Sequence, residues 1–395
     1  MDKTNDNFIS FINNTLNEIF KKKSLPIQHI DIALNFVGYS LKVENQNVQI
    51  YEKLKIELKF KDGQESDVKY YNEPYTYLKE KSDHEKNEFN NSLLFLLNEL
   101  GEEFIEEFIN KKFDSIDVAY RYMPKFADAI EKVKNSIKIE DYINLIKRIK
   151  NINKKDEYKQ EESISVLEAI YKLCQDKIKV IFIDPKIIDT KETEFGSTKR
   201  KSRGKEPDFQ ILNGDSGEKF YVEVSILERS NKEKESDKKL KSTSNEIDLK
   251  NFCLKQDYER IKDKLITESE QLPDNEPNII ILNLKSYQYF LPLLTQDCFY
   301  KELYNEFKDK LELEIEIQGL ASKIFCLIID VKGIGGNFKE KEPIQEKQYF
   351  LVFKNTNGYM KSYLVLFNKY FNKKVSESTI NEIRKIYSNE ANEFF

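Results

Sequence analysis

The sequence predicts an α/β protein in which an αβββαβ series builds a mixed central sheet, with a separate α+β domain in front of it. Three observations carry this expectation. From His29 to Leu100 the apolar pattern begins with the alternation of strands and then shifts to the 3.6-residue period of a helix. The polar segment Asn151–Glu161 then interrupts every core pattern and sets a boundary, giving domains 1–155 and 156–395. Beyond it the patterns run helix, strand, strand, strand, helix, strand.

Taken in order, Phe8, Phe11, Ile12, Leu16 and Ile19 mark a helix over Phe8–Phe20, and Lys21-Lys22-Lys23 suits its C-terminus. His29–Val43 and Val48–Phe60 read as strands, Lys61-Asp62-Gly63 as a turn, and Val68–Tyr71 as a third strand. From Glu85, Phe89, Leu93, Leu96, Leu100, Phe104 and Phe108 predict one long helix, with two or three more up to Lys150. The second domain opens with a helix over Glu162–Gln175. Its apolar face is Val166, Ala169, Ile170 and Leu173, shared with Glu162; Glu161, Ser165, Glu168 and Lys172 form the opposite, polar side. Ile178–Ile183 is a strand stopped by Asp184-Pro185. Phe209–Leu212 and Phe220–Ile226 are strands joined by Asn213-Gly214-Asp215-Ser216-Gly217, which is hairpin-turn chemistry. Ser230–Lys250 reads as an exposed loop, Phe252–Leu272 as an amphipathic helix, and Asn278–Leu284 as a strand buried on both faces. The tail adds strands at Lys323–Val331 and Gln348–Phe353 and helices at Phe299–Leu311 and Ser376–Tyr387.

Composition narrows the chemistry. With 39% hydrophobic and 12% aromatic residues the chain can fill real cores, which excludes global disorder. The net charge of −5 means that nucleic-acid binding must rest on local patches. Cys174, Cys253, Cys298 and Cys326 lie far apart, and the two histidines are His29 and His84; this disfavours a structural zinc site and suggests buried free thiols in a reducing cytoplasm. No apolar run approaches the roughly 18 residues a membrane span needs. No phosphate-cradling glycine-rich loop with Lys-Ser or Lys-Thr occurs, and two histidines leave little for a nucleophilic triad.

The hairpin carries the strongest chemical signal. Alternation along its strands brings Asp208, after Pro207, close to Glu223, which is flanked by Val222 and Val224. Two carboxylates held in apolar surroundings repel unless a cation lies between them, and oxygen-only ligands suit Mg²⁺. The arrangement resembles the PD-(D/E)XK nuclease superfamily: Pro207-Asp208 stands at its Pro-Asp and Glu223-Val224-Ser225 at its acid-X-lysine, with Ser225 in place of the lysine. The resemblance covers about Glu161–Leu284. It implies a restriction-endonuclease-like core, Mg²⁺ with Mn²⁺ as a substitute, and hydrolysis of DNA, with RNA not excluded. It also implies a setting in restriction, phage defence or a mobile element.

Asp208, Glu223 and the Val224 carbonyl would be the metal ligands. Lys264, within Arg260-Ile261 … Lys264 … Gln271-Leu272, would replace the strand lysine, with Lys255 and Lys262 as alternatives. Glu162 would assist, or would be a favourable charge at a helix N-terminus; Glu168 is the weaker candidate. Gln271 reads as a phosphate contact or a helix cap. Lys199, Arg200, Lys201, Arg203 and Lys205 form a basic run just before the site, a phosphate-tracking strip or a solvated loop. A rival placement pairs Pro273-Asp274 with Asp330-Val331-Lys332. The competing function is a decayed nuclease fold that binds nucleic acid or protein, which Ser225 favours. Residues 1–155 would serve target recognition, a homodimer or a defence-system partner protein.

Overall fold

The computed structural model describes residues 10–11, 13–15, 17–18, 30–60, 66–75, 81–113, 116–150, 157–174, 178–182, 207–227, 261–274, 276–284, 323–334, 344–346, 349–356, 359–368, 371 and 373–388. The basic run 199–205, the loop 230–250, the helix expected at 299–311 and Lys255 lie outside these residues. The chain divides into two compact units, Met1–Asp128 and Ala129–Phe395.

In the first unit, β1 (Ile30–Glu44) and β2 (Asn47–Phe60) form a long hairpin, and β3 (Ser66–Pro74) adds to β2 in the order β1-β2-β3. The two loop residues, Asn45 and Gln46, both have positive φ, which is what a two-residue turn matched to strand twist requires. β1 bulges between Phe36 and Gly38. There the Asn110 side chain accepts from the Tyr39 N–H at 2.5 Å and donates to the Tyr39 carbonyl at 2.8 Å. The expected long helix is two. α1 (Asp83–Leu100) starts with a reciprocal cap between Ser82 and Glu85, and Gly101, at φ 91°, separates it from α2 (Glu102–Lys112). α3 (Ile116–Ser136) carries the chain across the division. That division precedes the polar segment 151–161, because α4 (Ile139–Lys150) packs on α5 (Glu157–Leu173) of the second unit.

The second unit is a mixed α/β assembly around an eight-stranded sheet. Its strands are β4 (Ile178–Phe182), β5 (Phe209–Asn213), β6 (Lys219–Ile226), β7 (Asn278–Leu284), β8 (Ile324–Ile334), β9 (Ile344–Glu346), β10 (Tyr349–Thr356) and β11 (Tyr359–Phe367). Their spatial order is β4-β5-β6-β7-β8-β11-β10-β9. β6, β7 and β8 are mutually parallel and the remaining pairs antiparallel. α6, helical over 261–269, precedes β7, and α7 (Glu377–Ser388) closes the described chain. The series α5, β4, β5, β6, α6, β7 is therefore present in the order read from sequence. The tail does not stand apart: β8 to β11 continue the same sheet. Ile279 to Leu282 in β7 are buried, so this strand needs a neighbour on each side.

α5 departs from expectation. It begins at Glu157, which puts Glu162 in its second turn, and its supposed polar side is interior: Ser165, Glu168 and Lys172 are all buried. The cause is packing against β4, β6, α4 and α7 together. The buried polar groups meet partners: Asn283 donates to Ser165 Oγ at 3.1 Å, and Lys172 Nζ lies 3.9 Å from the Tyr363 ring centre and 5.2 Å from that of Tyr387.

Candidate functional site

The β5–β6 hairpin fixes the first two carboxylates. Its turn is held by Asn213, whose side chain accepts from the Asp215 N–H at 2.9 Å and whose carbonyl accepts from Gly217 N–H at 2.8 Å, with φ of Gly217 at 69°. Glu218 ties the turn to the start of α7, accepting from Ser376 N–H at 2.9 Å and Ser376 Oγ at 2.7 Å. The register Phe209↔Val222 sets Asp208 opposite Glu223. Each carboxylate grips the other's strand: Asp208 N–H donates to Glu223 Oε2 at 3.2 Å, and Val224 N–H donates to Asp208 Oδ2 at 3.0 Å. Both side chains are buried.

α4 and α6 supply cations. Arg148, in the last turn of α4, places Nη1 and Nη2 3.4 and 3.3 Å from Asp208 Oδ1. On α6, Lys264 Nζ lies 2.6 Å from Glu268 Oε1. Glu268 is itself buried and also accepts from Ser225 Oγ at 2.9 Å. Gln271, just past the helix, is not a cap. Its amide donates to Glu268 Oε2 and, at 3.2 Å, to Glu223 Oε1, bridging two acids.

These contacts set the ionisation of the group. Burial, then the negative charge of Asp208, pushes Glu162 up to about 7, while Arg148 and Lys264 pull it back. Burial and the charges of Asp208 and Glu268 hold Glu223 well above the usual carboxylate range. Asp208 is raised by burial against the opposing pull of Arg148 and the Val224 N–H. Four acids thus converge with two cations, and these six groups carry uncompensated negative charge when all are ionised. The four acids offer carboxylate oxygens, and Ser225 and Gln271 beside them add a hydroxyl and an amide oxygen, a donor set that suits a hard divalent cation. Among the described residues no three Asp, Glu, His or Cys side chains are gathered into a metal-holding group by themselves. Two carboxylates, with the remaining positions left to water and phosphate, are what Mg²⁺ needs.

Sequence reasoning named Asp208, Glu223, Glu162, Lys264 and Gln271. Hydrogen bonds and an ion pair join Asp208, Glu223, Gln271 and, through Glu268, Lys264. Glu162 on α5 lies within range of the charges of Asp208, Arg148 and Lys264. Two members were missed. Arg148 reads locally as one of three cations complementing a helix C-terminus. Glu268 did leave a signal: with Ile261, Leu265 and Leu272 it falls on the 4-3-4 spacing of the buried stripe, an acid where an apolar residue is due. Glu168 is buried rather than facing solvent. The rival placement separates. Asp274 is exposed and pairs with Lys323 at 3.1 Å, at one end of β8, whereas Asp330 lies roughly 20 Å further along that strand.

No described helix is long and apolar enough to cross a membrane. Cys174 and Cys326 are buried free thiols, raised by burial. The chain matches no known protein family, no curated protein and no solved structure, so the site stands on its own geometry.

Proposed function

We propose that the chain is a metal-dependent endonuclease that hydrolyses phosphodiester bonds in DNA, with a restriction-endonuclease-like core formed by α5, β4, β5, β6, α6 and β7. The observation that supports this reading best is the interlocked, buried pair Asp208 and Glu223, set among Glu162, Lys264 and Arg148. Asp208 and Glu223, with the Val224 carbonyl, would hold Mg²⁺ or Mn²⁺. When bound, the ion supplies charge neutralisation at the phosphate and an acidified water. Lys264 and Arg148 offer positive charge to the non-bridging phosphate oxygens as negative charge grows there. Glu162 would assist as a further carboxylate beside the ion, whose charge would draw its ionisation back down from about 7. In the overall reaction a water oxygen joins phosphorus and the bond to the 3′ oxygen breaks, leaving a 3′-hydroxyl and a 5′-phosphate. A cytoplasmic role in restriction, phage defence or a mobile element fits this chemistry, with the first unit serving recognition or assembly with a second copy or a partner protein.

The test is cleavage of plasmid DNA, single-stranded DNA and RNA with Mg²⁺ or Mn²⁺. Wild type should cut DNA only with metal, and Asp208→Ala and Glu223→Ala should each lower the rate by roughly 100-fold or more. A protein that cuts none of these substrates, and binds DNA equally well with and without either carboxylate, is instead a binding module.

A further inference from the structure

Glu268 is the acid in this group that the proposed reaction does not use. It lies within the stripe Ile261, Leu265, Leu272 and is 4% exposed. A carboxylate there is costly unless donors surround it. Three do, each from a different place. Ser225 Oγ–H reaches Oε1 from β6 at 2.9 Å, Lys264 reaches the same oxygen from one helical turn earlier at 2.6 Å, and the Gln271 amide reaches Oε2. An exposed lysine and glutamate four residues apart make an ordinary helix pair. This pair is different, because its acid is interior and bonded to the strand that carries Glu223.

We infer that Glu268 is a positioning residue for Lys264 and that Ser225 anchors it. A lysine side chain has four rotatable carbons and a compact charge that finds no fixed direction of its own. Glu268 supplies that direction, holding the ammonium group beside the acids. Ser225, two residues after Glu223, fixes the Glu268 carboxylate from the sheet. The serine is then not an empty place in the acid-X-lysine pattern but the footing of the lysine that serves from the helix. Gln271 completes the mount by joining Glu268 to Glu223. The inference rests on the hydrolytic reading, in which the lysine faces the phosphate.

The experiment compares kcat and KM on a DNA duplex with Mg²⁺ for wild type, Lys264→Ala, Glu268→Gln, Glu268→Asp, Ser225→Ala and the double variant Lys264→Ala/Glu268→Gln. Urea unfolding of each protein confirms that it folds. Lys264→Ala should lower kcat roughly 100-fold, the size expected for removing one transition-state donor. Glu268→Gln keeps an acceptor for Ser225 but loses the ionic hold, and should lower kcat roughly 10-fold while KM stays level or falls. Glu268→Asp should recover part of the loss, and Ser225→Ala should show a smaller loss in kcat alone. The double variant should be no slower than Lys264→Ala, since Glu268 acts through the lysine. Full activity in Glu268→Gln overturns the inference, as do losses that multiply in the double variant. A wild-type protein that cleaves neither DNA nor RNA with either metal removes the hydrolytic reading, and this inference with it. Cleavage by wild type with multiplying losses removes the inference alone.

Discussion

Burial and the charge of Asp208 raise Glu162 from 4.5 to about 7, so at pH 6 the folded chain keeps a proton that the unfolded chain has released. The sign follows from linkage. Below the unfolded value both states are protonated and the residue costs nothing through its charge. Between 4.5 and 7 the folded state is progressively penalised, and above 7 the full penalty applies. Glu162→Gln should therefore stabilise the protein at pH 8 by up to about 3 kcal/mol, and hardly at all at pH 4.5. Urea midpoints at the two pH values check this, and equal gains at both would refute the raised ionisation. The same variant should cleave DNA more slowly, so one substitution gains stability and loses activity. That opposition is what separates a functional carboxylate from a structural one. At this scale the sequence was informative where a local pattern spoke, as with Pro207-Asp208 or an acid between two valines. It was silent on Arg148, whose partner lies 60 residues away in the chain.

Elements show a different boundary between what is local and what is not. Strand alternation and helix period located β5, β6 and β7 closely and the body of α5, though not its first turn, because each is specified by its own residues. The polar side of α5 was misassigned because the groups that cover it are remote: Tyr363 and Tyr387 around Lys172 come from β11 and α7. No periodicity within α5 encodes them. The bulge in β1 is likewise a long-range device. Gly38 has φ +135°, and a Cβ built there would lie 2.5 Å from Asn110 Oδ1, the atom that accepts from the Tyr39 N–H. A side chain at this position must strain the backbone and push Asn110 off the bulge. Gly38→Ala should destabilise the first unit by roughly 2 kcal/mol or more, combining both effects. Hydrogen exchange should show faster exchange at Tyr39 and the flanking β1 amides, with the β5–β6 hairpin unchanged. Wild-type protection at Tyr39 would mean that the bulge yields without cost.

Across the whole molecule, the sheet joins segments from 178 to 367, and its order cannot be read from any one stretch. Hydrogen-bonded neighbours such as β8 and β11 are specified only by burial in the finished core, which is why the tail looked like an extension and became half of the sheet. The same global packing concentrates four acids against two cations in the second unit, and the folded state is strained by that charge. A ligand that binds only this state raises stability in proportion to the logarithm of its concentration over Kd; at a hundredfold excess the gain is about 2.7 kcal/mol. Mg²⁺ or Mn²⁺ should therefore raise the melting temperature of the wild-type protein in the absence of any nucleic acid. Asp208→Ala and Glu223→Ala should show no such rise. Arg148→Ala should respond more strongly than wild type at equal metal concentration, since Asp208 Oδ1 loses the guanidinium that competes for it. A melting temperature indifferent to both ions, together with cleavage that does not need metal, would end the metal reading. A rise confined to proteins with both carboxylates would place the ion at this site without relying on turnover.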